Sequence, residues 1–231
     1  MFERPHHRRI AAVLEALDAQ VLAANACLLG GGTAMAMRHG EYRESIDIDF
    51  LVSEVDGYRQ LRQRLTGPDG MRAVTRSGQA LRQSREVRAD QYGIRTLLQV
   101  DGVDVKFEIV LEGRIELEAP GPDDRRCGVA TLTPLDMATS KLLANSDRWR
   151  DDAVMSRDLI DLAMMALPKV LMKQAMAKAR GAYGDSVAAD LVSAVENLRA
   201  RPHRLDQCMQ AMAMTTVSKA ALWARIKRLV P

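Results

Sequence analysis

Two aspartates at alternate positions, Asp47 and Asp49, stand out as residues whose spacing could do chemistry. They lie in the run Arg43-Glu44-Ser45-Ile46-Asp47-Ile48-Asp49-Phe50-Leu51-Val52. In an extended strand side chains alternate with period two, which sends both carboxylates to one face and Ile46, Ile48 and Phe50 to the other. The carboxylates then stand about 7 Å apart along one edge, a separation suited to bridging by hard divalent cations. Left without a cation they would repel each other. A two-metal site needs a third carboxylate, and the run Val103 to Val110 offers one. Val103, Val105, Phe107 and Ile109 form one face there, and Asp104, Lys106 and Glu108 the other. Glu108, in mid-strand, is the preferred third ligand and Asp104 the fallback; an ordinary half-solvated strand would show the same alternation.

Ahead of this run an apolar segment, Ala26 to Leu29, leads into Gly30, Gly31, Gly32 and Thr33, and then into a helix-like segment, Ala34 to Arg38. Consecutive glycines let the backbone turn sharply and approach a phosphate closely. A helix starting there points unpaired amides and the positive end of its dipole at the same spot. Alone, such a turn is often only a tight connection between strand and helix. Followed by two strand carboxylates, it reads as a place for a triphosphate.

The elements that position these groups divide the chain. With 231 residues, 47% apolar and 27% charged, the composition is that of a globular protein, which excludes a disordered or fibrous chain. Its 33 Lys and Arg nearly cancel 30 Asp and Glu, which excludes a strongly basic nucleic-acid coat. Charge is unevenly placed: Lys141 to Pro231 carries 15 basic and 9 acidic residues, and Met1 to Ser140 carries 18 and 21. Short β-like runs, Ile46 to Val52, Ile94 to Val100 and Val103 to Leu111, precede this change, and helical periodicity rich in Ala, Leu and Met follows it. The expected fold is therefore α/β (α+β), a mixed sheet with flanking helices over residues 1–128 and an all-helical C-terminal domain over residues 129–231. The Pro- and Gly-containing segment Ala119 to Gly128 forms the junction. Thr133, Pro134 and Asp136 open a helix, and later helices begin near Ser156, Pro168, Asp185 and His203. Ile10, Val13, Leu14, Leu17, Val21 and Leu22 form the stripe of an amphipathic first helix behind His6, His7, Arg8 and Arg9, rather than a signal peptide. Cys27, Cys127 and Cys208 have neither metal-ligand nor redox spacing and read as reduced thiols of a cytoplasmic protein. No run of about 18 apolar residues reads as a membrane span.

The order Gly31-Gly32-Thr33, about ten residues, Arg43, Ser45 and Asp47-x-Asp49 resembles the polymerase-beta-like nucleotidyltransferase superfamily. Within it the sequence is most similar to the AbiEii/AbiGii family, the MenT-like toxins of type IV toxin-antitoxin systems. That family has a lysine in a helix after the α/β core, matched by Lys141, and a downstream Asp-x-x-Asp-Leu helix, matched by Asp158, Asp161 and Leu162. The resemblance covers roughly Leu28 to Leu162. The chain departs from it at Gly30, where members often carry a lysine or another side chain.

The resemblance implies transfer of a nucleoside monophosphate from a nucleoside triphosphate (NTP) to a hydroxyl, with release of pyrophosphate. Asp47, Asp49 and Glu108 would hold one or two Mg2+ ions, and the amides of Gly31, Gly32 and Thr33 would cradle the β- and γ-phosphates. Ser45 would contact a phosphate or be modified. Lys141 would reach the triphosphate, with Asp158, or else Asp161, as its orienting partner. Arg157 and Asp161 read equally well as structural. The implied acceptor is RNA, such as the tRNA 3′ end, and the implied partner a separately encoded antitoxin protein. Nine Arg against three acidic residues between Tyr58 and Arg95 agree with a polyanionic acceptor. Two other readings stay open: nucleotidylation of a small molecule (as with aminoglycosides) or of a protein, and a noncatalytic binding module with the same fold.

Overall fold

Residues 2–230 are described by a computed structural model; Met1 and Pro231, the outer ends of the two expected domains, lie outside the described residues. The chain forms two compact units, one of residues 1–38 and 45–133, the other of residues 39–44 and 134–231.

The first unit is built on a five-stranded mixed sheet. Its strands in chain order are β1 (Leu28–Leu29), β2 (Ile48–Val52), β3 (Arg82–Ala89), β4 (Gly93–Val100) and β5 (Val103–Leu111), and in space the order is β1-β2-β5-β4-β3. Within this sheet the β2–β5 pair is parallel and the other pairs are antiparallel, and the β2–β5 register sets Asp49 opposite Glu108. Asp101 and Gly102, both in the left-handed region, join β4 to β5 in the two-residue turn that suits the twist of a hairpin. The buried face is the apolar half of the alternation: Ile48, Phe50, Val105, Phe107 and Ile109 are fully buried, with the Phe50 and Phe107 rings 5.7 Å apart. Helices α1 (Pro5–Ala16), α2 (Ala19–Ala24), α3 (Gly31–Arg38) and α4 (Val55–Thr66) complete the unit, together with a small hairpin of β6 (Arg125–Arg126) and β7 (Val129–Ala130).

Three local differences from expectation have physical causes. The first apolar stripe is split in two because the Asp18 carboxylate accepts from the amides of Gln20 and Val21 and starts a new helix. β2 begins at Ile48 rather than Ile46, and Ile46 is exposed rather than turned to the core. The carbonyls of Ile46 and Asp47 are taken by the side chains of His6 and Thr33. β3 reads Arg-Gln-Ser-Arg-Glu-Val-Arg-Ala and lacks alternation because it is an edge strand exposed along most of its length.

The second unit packs α6 (Arg157–Met165), α7 (Lys169–Tyr183) and α8 (Ser186–Ala200) around α5 (Pro134–Arg148), with α9 (Arg204–Ala211) and α10 (Lys219–Lys227) following. Helices α6 to α9 start immediately after Ser156, Pro168, Asp185 and His203. Asp136 at the start of α5 is fully buried and is met by Lys178 of α7 at 2.5 Å. The segment His39–Glu44 belongs here because Arg43 and Tyr42 bond to Asp161, and the Glu44 amide donates to the Met212 carbonyl.

Asp161 is the charged centre of this unit. Burial would raise its pKa, but Arg43 and Lys141 outweigh that and hold the carboxyl well below the ordinary range. The folded pKa lies below the unfolded value of about 3.9, so this contribution to stability is present above that pH and is lost as pH falls through the folded value. In urea titrations followed by circular dichroism, unfolding free energy should therefore drop as pH falls below about 4, with a shallower drop in Asp161→Asn. At pH 7, Asp161→Ala should cost about 3–5 kcal/mol, because it strands buried cations.

Candidate active site

The glycine turn and the aspartates meet at the start of α3. The Gly30 amide donates to the Asp49 carbonyl at 2.8 Å, which clips the turn to β2. Gly31 has φ +67°, and a Cβ there would stand 2.3 Å from Asp49 Oδ2. The Asp49 carboxylate thus occupies the space that only a glycine leaves open. Gly30 is crowded less severely: a Cβ would fall 2.5 Å from Leu51 Cδ1 and 2.9 Å from Leu132 Cδ1, both ends of flexible side chains that can shift. The first-turn amides of Gly31, Gly32 and Thr33 have no helical carbonyl four residues back, so the turn is a place where backbone donors are available.

Thr33 fixes the other aspartate. Its buried Oγ1 donates to the Asp47 carbonyl at 2.5 Å and hydrogen-bonds with the Ser45 hydroxyl at 2.9 Å. Ser45 and Asp47 precede the strand, so strand alternation does not govern where they point; the Ser45 hydroxyl turns to Thr33. Two adjacent histidines of α1 hold the same stretch. The Ser45 amide donates to Nε2 of the fully buried His7 at 3.2 Å, and His6 Nε2 lies 3.0 Å from the Ile46 carbonyl. Because Nε2 of His7 accepts, the bond requires a ring whose proton is not on that nitrogen. The sequence contained the His6-His7 pair but no signal for its target, which lies about forty residues away.

On β5 the register brings Glu108 beside Asp49, but its oxygens are engaged: Arg95 Nε lies 2.5 Å from Oε1 and Lys106 Nζ 2.5 Å from Oε2. Burial would raise the Glu108 pKa, and the two cations overcome this and lower it. Burial would lower Lys106, and Glu108, reinforced by the fields of Asp49 and Asp47, raises it instead. Lys106 is therefore a charged neighbour of the aspartate pair that the motif reading passed over, although its place on the carboxylate face of β5 was visible in the alternation. Among the described residues no group of three or more His, Cys, Asp or Glu side chains is arranged to hold a metal ion, and Asp104 is exposed at the start of β5.

In the helical unit Lys141 is buried with Nζ 3.0 Å from Asp158 Oδ1 and 2.6 Å from Asp161 Oδ2. The i, i+3 spacing on α6 presents both carboxylates to one ammonium. Arg148 binds both oxygens of Asp158, at 2.7 and 3.0 Å, and shares Oδ1 with Lys141. Arg43 binds Asp161 at 2.6 and 2.9 Å, and Tyr42 adds a hydrogen bond at 2.5 Å. Burial opposes the charge on Lys141, yet Asp161 and Asp158 leave its pKa above the ordinary value. Burial likewise opposes the charge on Asp158, and Lys141 and Arg148 keep it low. Arg157 is exposed.

A family model described as the nucleotidyl transferase AbiEii toxin of type IV toxin-antitoxin systems matches residues 12–228. The chain belongs to the AbiEii family. It is accordingly a nucleotidyltransferase, which implies an NTP substrate. The protein JHP933 from Helicobacter pylori is 14% identical over 99% of this chain and 93% of its own, with a TM-score of 0.53, and shows that the AbiEii chain shares its fold. A second H. pylori protein, assigned provisionally as a nucleotidyltransferase, is 16% identical over 97% of this chain and 92% of its own, with a TM-score of 0.49. No curated protein matches the chain. Among the described residues no helix is long and apolar enough to cross a membrane.

His6 and His7 lie ahead of the residues matched by the family model. In a nucleotidyl-transfer assay His7→Ala should lower kcat by about tenfold or more, since small displacements of reacting groups have effects of this scale. His7→Gln, which retains an acceptor at the end of the side chain, should recover most of the loss. Equal loss in both variants would show that His7 merely fills space. Gly31→Ala should abolish activity and lower Tm, because the new Cβ meets Asp49 in a backbone region costly for non-glycine residues.

Proposed function

We propose that this AbiEii protein transfers a nucleoside monophosphate from an NTP to a terminal hydroxyl of RNA, such as the tRNA 3′ end. The observation that carries the reading is the packing of the Asp49 carboxylate on Gly31, at the amide-bearing start of α3, with Asp47 tied to the same helix through Thr33. This arrangement sets acceptors for a cation beside donors for a phosphate.

The donor set suits Mg2+, which commonly takes one or two carboxylates and completes its shell with water and substrate phosphates. Asp47 and Asp49 are assigned to hold it. Glu108, with both oxygens engaged, is assigned to keeping Lys106 beside them. When bound, Mg2+ supplies charge neutralisation and alignment of the phosphates. The amides of Gly31, Gly32 and Thr33 receive the β- and γ-phosphates, and Ser45 orders the approach to Asp47. The acceptor hydroxyl oxygen bonds to the α-phosphorus, the bond from that phosphorus to the bridging oxygen breaks, and pyrophosphate leaves. The hydroxyl proton passes to a carboxylate oxygen of the Asp47 and Asp49 pair. The family resemblance assigns Lys141 to the triphosphate as a point charge, with Asp158 as its orienting partner.

Support for RNA comes from the first unit. Arg82, Arg85 and Arg88 lie on the edge strand β3, and Arg59, Arg62, Arg95 and Arg114 share a cavity of about 790 Å3 with Tyr58 and Tyr92. The exposed ring of Tyr92 among these cations suits a phosphate backbone with an unstacked base. A separately encoded antitoxin and a cytoplasmic setting follow from the same family reading.

The test is incubation with total tRNA, Mg2+ and each labelled NTP in turn. Label should enter tRNA, more slowly as salt rises. Asp47→Ala and Asp49→Ala should each reduce incorporation by at least about 10²-fold, the scale of a single electrostatic contact to a transition state. Label appearing only on protein or on a small hydroxylated acceptor would favour the second reading. Incorporation nowhere, in any nucleotide, would overturn both.

A further inference from the structure

The helical unit carries a groove that the transfer chemistry does not use. It has a volume of about 620 Å3 and runs between α6, α7, α8 and the end of α10. Its floor is apolar, with Leu162, Met172, Met176 and Leu191 among its residues. Its rim is cationic: Lys169, Lys173 and Arg180 on α7, and Arg225 and Arg228 at α10. No Asp or Glu lines it.

The layout of the charges identifies what fits. On α7, Lys169, Lys173 and Arg180 follow one another at four and seven residues, along the stripe that also carries Met172 and Met176, so the cations form a row about 16 Å long. Arg225 in the last turn of α10 and Arg228 just past its end stand three residues apart. Arg180 is the rim cation with an ion pair, to the exposed Asp185 at 3.4 Å, and Arg225 reaches Met164 Sδ at 3.3 Å. Among the described residues Lys169, Lys173 and Arg228 face no carboxylate. Phosphates of an RNA strand would find no donors on the apolar floor, and a lipid presents one headgroup at one end. A rod with an apolar stripe and carboxylates along its length satisfies both the floor and the row.

We infer that this groove docks an acidic amphipathic helix of a partner protein. Leucine-like side chains of that helix fill the floor, where the two unbranched methionines adapt to their shape. Its carboxylates meet Lys169, Lys173 and Arg228, in the helix-in-groove mode. The partner site lies within the helical unit and requires nothing of the transfer chemistry.

The experiment uses the full chain and a fluorescein-labelled 18-residue peptide with Leu at i, i+4, i+7 and i+11 and Glu on the flanking positions. Fluorescence anisotropy should show saturable one-to-one binding, with dissociation constants on the order of micromolar. A composition-matched scramble and a Glu→Lys version should bind at least about tenfold more weakly. The paired variant Lys173→Glu with Arg228→Glu should weaken binding about tenfold or more while keeping the wild-type Tm, and should regain affinity for the Glu→Lys peptide. Met172→Glu should weaken it without altering the rim. Absence of saturable binding, equal affinity for the scramble, or an unchanged affinity in the paired variant would overturn the inference. So would displacement of the peptide by single-stranded RNA or by phosphatidylglycerol vesicles at lower concentration than by unlabelled peptide.

Discussion

One buried carboxylate organises more of this protein than any other single group. Asp161 accepts from Arg43 and Tyr42, pairs with Lys141 and sits fully buried. An isolated charge at such depth would be prohibitive, so its three donors form a set that cannot be thinned without leaving a buried charge behind. Through Arg43 and Tyr42 it brings the short segment His39–Glu44 into the helical unit, although that segment lies in sequence between α3 and Ser45 of the other unit. Through Lys141 it is joined to Asp158 and Arg148. The outcome is a network of three cations and two carboxylates in which each member is ordered by the next.

A parallel economy of donors governs the aspartate pair. Asp47 is not placed by a ladder of backbone hydrogen bonds, because the strand starts one residue later. Side chains from two helices do the work, with Thr33 of α3 holding the carbonyl of Asp47, and His6 and His7 of α1 holding the peptide groups before it. Asp49 is placed by the strand itself and by a missing Cβ. The backbone at the two aspartates is thus fixed by different means.

These differences explain what could be read from the sequence. Strands β4 and β5 were legible because a short apolar run and its alternation are local, and helices α6 to α9 began one residue after the expected positions. The pairing of Lys141 with Asp158 and Asp161 had a local component in the i, i+3 spacing. What escaped was set by distance along the chain. Nothing near His7 announces Ser45, and nothing near Arg43 announces Asp161. Glu108 looked available because alternation describes a face and not its occupants: Lys106 stood in view on that face two residues away, and Arg95 became visible as a partner only through the register of β4 with β5. Edge strand β3, with no face to bury, had no pattern to read.

The crowded turn at Gly30 and Gly31 also has a genetic consequence. Every amino-acid replacement available to a glycine codon adds at least a Cβ, and at Gly31 that first carbon collides with Asp49 in a left-handed backbone conformation. A host under selection to disarm a toxin of this kind would find no mild alleles there. Graded attenuation would have to come from residues with space around them, such as the exposed arginines of β3, whereas the Gly31 codon can yield only all-or-none escape.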